Sequence, residues 1–188
     1  RGVGRVLITC GLSGSGKSHW ASQLLTVLPA VRLRSDVMRK AQHGLAPLAD
    51  SQSALGEGLY ETTSSDAVYH GLAKHAAQLA CSGEHVIIDA ACLKKDQRKI
   101  LYDRLKDAGA EVELLYFTAP FKVLRDRIAS RQARHDDPSE ADAEVLVWQV
   151  DQIEVPSGEE SFIEIPTTGL SLAGLVAQVR APTAPSAA

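Results

Sequence analysis

The segment Gly11-Leu-Ser-Gly-Ser-Gly-Lys-Ser18 constrains this chain more than any other. It matches G-x-x-x-x-G-K-[ST]. Before it stands a short apolar run, Arg5-Val-Leu-Ile-Thr-Cys10, and after it Trp20, Leu24, Val27 and Leu28 recur at helical spacing until Pro29. A backbone that passes from a buried strand into a helix through Gly11, Gly14 and Gly16 can curl consecutive N–H groups around one point with no Cβ in the way. The positive end of the helix dipole faces that same point. Such a turn is a cradle for phosphate oxygens. The expected nucleotide-binding set is Gly11, Leu12, Ser13, Gly14, Ser15, Gly16, Lys17 and Ser18. Lys17 is expected to bridge the β- and γ-phosphates, and Ser18 to give its hydroxyl to Mg²⁺.

Beyond this turn, strands alternate with helices to the end of the chain. Strand patterns fall at 5–10, 31–34, 85–89, 111–117 and 161–165. Helical patterns fall at 59–81, 96–108, 121–133, from a capping-box start at Ser139 and Asp142 to about Ile153, and at 170–179. Residues 42–58 lack periodicity and read as a long loop or loosely helical insertion. Alternation of this kind implies right-handed crossovers and a parallel sheet covered on both faces. The expected fold is α/β: a P-loop NTPase three-layer α/β/α sandwich with a mainly parallel five-stranded sheet and a helical lid. One domain is expected over residues 1–181, its lid at about 125–142, followed by a disordered Pro/Ala/Ser-rich tail at 182–188.

Charged residues gather where such sheets bind ligands, at the carboxyl ends of strands. Asp36 and Arg39 follow the second strand. Asp36 can take the proton of an attacking hydroxyl and Arg39 can hold an anionic group, or the two are a helix cap and its surface partner. Asp89 ends the strand His85-Val-Ile-Ile-Asp89; it can support Mg²⁺, orient an acceptor, or cap the next helix. Arg127, Arg131 and Arg134, spaced four and three, share one helical face. That face is either part of a lid that closes over the phosphates or a solvated stripe. Lys94, Lys95 and Arg98 form a basic patch expected to be solvated, and Tyr60 and Tyr69 read as packing residues.

The string Gly14-Ser-Gly-Lys-Ser-His-Trp20-Ala21, followed by Arg34-Ser-Asp36-x-x-Arg39, resembles the kinase domain of 5′-polynucleotide kinases. That family has G-S-G-K-S-T-W-A and then R-D-D-x-R. The resemblance implies that Asp36 is the general base, that Arg39 binds substrate phosphate, and that Arg127 and Arg131 are catalytic-type arginines. The family's Asp-Asp pair is Asp36-Val37 here, and its D-T-N-L is Asp89-Ala-Ala-Cys-Leu93, of which Asp89 is shared. Gluconate-type and zeta-toxin-like kinases have the same architecture. Bacterial predicted-kinase domains, which often follow an aminoglycoside-phosphotransferase-like domain, are similar over nearly the whole length, including V-I-I-D-A and the D-P-S-E-A-D segment at 137–142.

These readings imply an ATP- and Mg²⁺-dependent kinase in the cytoplasm, acting on a hydroxyl of a small polar acceptor. The lack of an N-K-x-D segment favours ATP over GTP. A nucleic-acid 5′-hydroxyl is the second acceptor reading. The formal charge of −3 and the absence of an aromatic stacking platform weigh against it. A nucleotide-binding regulatory module is the reading from another class. No apolar run approaches the roughly 18 residues of a membrane span, so no membrane partner is expected. Cys10, Cys81 and Cys92 have no metal-ligand spacing and read as buried small hydrophobes in a reducing cytosol. The chain opens without Met, as a piece of a larger parent with an upstream domain would.

Overall fold

The computed structural model describes residues 2–42, 44, 62–133 and 141–180. Five strands form one sheet: β1 (Arg5–Cys10), β2 (Ala30–Arg34), β3 (His85–Asp89), β4 (Glu111–Thr118) and β5 (Phe162–Pro166). The spatial order is β2-β3-β1-β4-β5, and every pair is parallel. The helices are α1 (Lys17–Leu25), α2 (Ser35–Gln42), α3 (Thr62–Cys81), α4 (Lys95–Asp107), α5 (Phe121–Ala133), α6 (Ala141–Gln152) and α7 (Leu172–Arg180). This is the three-layer sandwich of a P-loop NTPase.

The period of two along each strand builds both faces. Val6, Ile8 and Cys10 point to one side with Val86, Ile88 and Leu114, where α3 and α4 cover them through residues such as Leu72, Ala76 and Leu101. Leu7, Ile87, Leu115, Phe117 and Ile165 point to the other side, against Leu24 of α1 and Leu175 and Val179 of α7. A third, smaller cluster joins α5 to α6 through Leu124, Ile128 and Leu146. It sits under Leu12, so it supports the phosphate turn from outside the main sandwich.

Some boundaries differ from the sequence expectations. α1 ends at Leu25, with Thr26, Val27 and Leu28 in a tightened turn whose N–H groups reach back to Gln23 and Leu24 carbonyls. Pro29 disfavours helical backbone at the residue before it, so the helix unwinds early and Val27 is left exposed. Cys10 and Cys92 are buried, but Cys81 lies exposed in the last turn of α3, against the expectation of three buried thiols. The insertion at 45–58, Tyr60, Arg134, residues 134–140 of the expected lid, the Ser139 cap and the 182–188 tail lie outside the described residues.

The turn after β3 is held from beneath. Cys92 has a left-handed backbone, φ 49°, and its buried N–H donates to the Tyr69 hydroxyl at 3.0 Å. Burial pushes that hydroxyl's pKa well up, so Tyr69 is neutral there. Tyr69→Phe would leave the Cys92 amide buried and unpaired. Loss of about 1–3 kcal/mol of stability in urea unfolding is expected; an unchanged midpoint would mean the amide finds another acceptor.

Candidate active site

Gly11, Gly14 and Gly16 take φ of 147°, 79° and 97°, a region L side chains avoid. Space forbids a side chain as well: a Cβ on Gly11 would lie 2.5 Å from the Phe117 carbonyl oxygen, and one on Gly14 would lie 2.6 Å from that of Leu124. The loop therefore follows one path between β1 and α1. Lys17 folds back over it and donates from Nζ to the Leu12 carbonyl at 2.9 Å. Burial lowers the Lys17 ammonium to about 8; the Asp89 carboxylate acts to raise it and the Arg131 guanidinium to lower it further. A cleft of about 730 Å³ opens beside the loop, between Gly14, Lys17, Ser18 and His19 on one side and Arg127, Ser130 and Arg131 of α5 on the other.

Ser18 and Asp89 meet, as β1 and β3 are hydrogen-bonded neighbours and α1 begins directly above their ends. The Ser18 hydroxyl donates to Asp89 Oδ1 at 3.2 Å. Two hard oxygens at one point, one of them an anionic carboxylate, suit Mg²⁺. Among the described residues there is no cluster of three or more His, Cys, Asp or Glu that could hold a metal ion. Ser18 and Asp89 would need phosphate oxygens or water to complete a magnesium shell. Asp89 is buried, and its other oxygen accepts two bonds from Arg32, one of them from Nε at 3.1 Å.

Asp36 and Arg39 lie on α2, which starts directly from the end of β2. Asp36 is half exposed, accepts from the Val37 amide at 2.8 Å and pairs with Arg34 at 2.6 Å. Its place on the rim is set by the sheet order β2-β3-β1, which puts Asp89 between it and the phosphate loop.

Arg127 is turned toward the loop itself. Nη1 donates to the carbonyls of Gly14 at 3.1 Å and Ser15 at 3.4 Å, and to the Thr167 hydroxyl at 2.8 Å. Thr167, just past β5, in turn donates to the Ser15 carbonyl at 2.9 Å. The first half of the expected lid is thus a helix anchored to the loop's outer carbonyls. Arg131 is exposed, one turn further along the cleft.

Several residues escaped the sequence reading. Gln149 of α6 accepts the Ser13 N–H at 2.7 Å, and Thr167 buttresses the loop; neither carries a charge or motif that would mark it. Arg32 carried a signal, being a charge in the middle of a strand. The basic patch also needs correction. Arg98 is buried, bidentate to Glu160 at 2.6 and 2.9 Å, and donates to the Cys92 and Leu93 carbonyls. Lys94 and Lys95 pair with Glu154 and Glu159. The acidic segment after α6 neutralises the patch because it returns across the start of α4.

A family model described as an AAA domain matches residues 6–156. No curated protein matches the chain. Solved structures share the fold at low identity. A sugar kinase from Janibacter sp. is 21% identical, with a TM-score of 0.67, covering 94% of this chain and 92% of that one. The APS kinase of Mycobacterium tuberculosis, in complex with AMPPNP and APS, is 17% identical, with a TM-score of 0.67, covering 96% and 100%. A gluconokinase from Sinorhizobium meliloti 1021 is 20% identical, with a TM-score of 0.64, covering 95% and 90%.

Phosphate placed beside Lys17 raises its pKa, so a nucleotide complex keeps a proton that the free protein sheds above about pH 8. ADP affinity should be level below that pH and should fall as pH rises through it, by at most about tenfold per pH unit. Calorimetric titration in buffers of different ionisation enthalpy should register proton uptake at pH 8.5–9. Level affinity across that range would mean that Lys17 is fully charged in the free protein.

Proposed function

This chain belongs to the AAA domain family, matched over residues 6–156, and from that premise we propose that it is an ATP-dependent phosphotransferase acting on a hydroxyl of a small polar acceptor. The observation that carries the reading is the order of strand ends along one rim. The phosphate loop follows β1, Asp89 closes β3, and Asp36 follows β2 on the far side of Asp89. A donor site, a carboxylate beside it and a second, half-exposed carboxylate therefore stand in a row.

In this reading the loop amides and Lys17 hold the β- and γ-phosphates. Ser18 and Asp89 hold Mg²⁺, which when bound neutralises phosphate charge. The acceptor hydroxyl approaches from the β2 side. Its oxygen bonds to the γ-phosphorus as the bond from that phosphorus to the ADP oxygen breaks, and its proton passes to the Asp36 carboxylate. Arg39 orients the acceptor and Arg131 faces the transferring group from the cleft wall. Arg127 acts on the loop's shape, since its Nη1 donates to loop carbonyls and to the Thr167 hydroxyl. The sugar kinase and gluconokinase likenesses support a small hydroxyl acceptor, and the net charge of −3 favours it over a nucleic-acid end. We place the reaction in the cytoplasm, where ATP is available. Among the described residues no helix is long and apolar enough to cross a membrane.

Transfer of label from γ-labelled ATP to a panel of sugars, sugar acids, aminoglycosides, nucleosides and 5′-hydroxyl oligonucleotides tests this. Label should appear on one small-molecule class and vanish with Lys17→Ala. Asp36→Asn should cut transfer about 10²- to 10⁴-fold while ADP binding is retained. Undiminished transfer would remove Asp36 from the role of base. Label on oligonucleotides alone would replace the acceptor class, and label on inorganic phosphate alone would favour a regulatory ATPase.

A further inference from the structure

Arg32 is the charge that interrupts β2. The strand is at the edge of the sheet, paired with β3 alone, and its register sets Arg32 opposite Ile87 and Arg34 opposite Asp89. Ile87 faces α1, so Arg32 does too, and it is the diagonal neighbour of Asp89 on that face. Its guanidinium is shared between two elements, β3 and α1. Nε and Nη2 both donate to Asp89 Oδ2; Nη1 donates to the Ser22 hydroxyl at 2.7 Å; Nη2 also reaches the Ser18 carbonyl at 3.3 Å. The two oxygens of Asp89 are therefore divided. Oδ2 belongs to Arg32, and Oδ1 accepts from the Ser18 hydroxyl.

We propose that Arg32 is a positioning residue for the metal end of the nucleotide site: by holding Asp89 Oδ2 and the first turn of α1 together, it keeps Oδ1 aimed at Ser18. The inference rests on the assignment of Ser18 and Asp89 to Mg²⁺ made above. A carboxylate as buried as Asp89 needs a partner to hold it in place. Arg32 supplies it at Oδ2, the oxygen that the Ser18 hydroxyl does not use. The planar fork matters, because one group spans a carboxylate, a hydroxyl and a carbonyl from three separate nitrogens, where a lysine ammonium has one. The same contacts tie β2, which runs directly into the helix α2 that bears Asp36, to the helix that starts at Lys17. Partners that orient a metal ligand in this way are typically worth about 10- to 100-fold in metal affinity.

The test is ADP binding by calorimetry as Mg²⁺ is raised from zero, for the wild type, Arg32→Met and Arg32→Lys, with thermal unfolding of each. Arg32→Met should need about 10- to 100-fold more Mg²⁺ to reach half of its effect on ADP binding, with ADP affinity in chelator unchanged. Arg32→Lys should fall between, and it carries the test alone if Arg32→Met does not fold. A lowered melting temperature with an unmoved Mg²⁺ midpoint would overturn the proposal, leaving Arg32 a structural brace. A lower Mg²⁺ requirement would also overturn it, making Arg32 a competitor of the metal. Failure of the wild type to bind ADP at all would instead overturn the function proposed above.

Discussion

The backbone path from β1 to α1 is the constraint on which the other site elements depend. Three residues with positive φ, at Gly11, Gly14 and Gly16, bend the chain so that the Lys17 ammonium and the start of α1 face one small volume. No L side chain fits at Gly11 or Gly14 without meeting a carbonyl oxygen of β4 or α5. The loop is therefore shaped by its own glycines and by neighbours packed too close to allow any other residue. Those neighbours add polar contacts: Arg127 and Thr167 on the carbonyls of Gly14 and Ser15, Gln149 on the amide of Ser13. An array of backbone donors pre-arranged in this way has little reorganisation left to do when an anion arrives.

The second organising feature is electrostatic. Asp89 lies at the end of a strand buried on both faces, where a lone carboxylate would be costly. Its surroundings answer that cost with Arg32 on one oxygen and Ser18 on the other. Lys17 stands close enough to feel the same charge, yet burial dominates and lowers it to about 8. Arg32 is engaged by the carboxylate, and Lys17 rests on the Leu12 carbonyl. A second charged network forms on the other face of the sheet, where Arg98 joins Glu160 to the carbonyls of Cys92 and Leu93. It fastens the segment after α6 to the turn after β3. Helices α5 and α6, which pack on each other, and the strand end that bears Asp89 are therefore parts of one connected framework.

Much of this was legible in the sequence, and the reasons are specific. The G-x-x-x-x-G-K-S string, the apolar runs with period two, and carboxylates at strand ends are local signals, each requiring only a few consecutive residues. They were enough to place the loop, the strands, Asp36 and Asp89. The partnerships were not legible. Arg127 reads as a member of an arginine stripe and is found holding loop carbonyls. Arg98 reads as solvated and is found buried, since its partner Glu160 lies 62 residues away in sequence. Gln149 and Thr167 carry no charge, and their bonds to the loop span 136 and 152 residues.

By itself, then, the sequence determined the alternation of strand and helix, the glycine-lined turn and the residue types available for chemistry, because short-range sterics and periodicity decide these. The tertiary structure alone decided which distant charges meet. Arg34 pairs with Asp36 only two residues on, but Arg32 and Asp89 are 57 residues apart. The pairing of β2 with β3 puts Arg32 opposite Ile87, on the same face as Asp89 and diagonal to it. That pairing does not follow from spacing along the chain. It follows from which strands lie side by side and which face each side chain takes, and those are properties of the packed sheet.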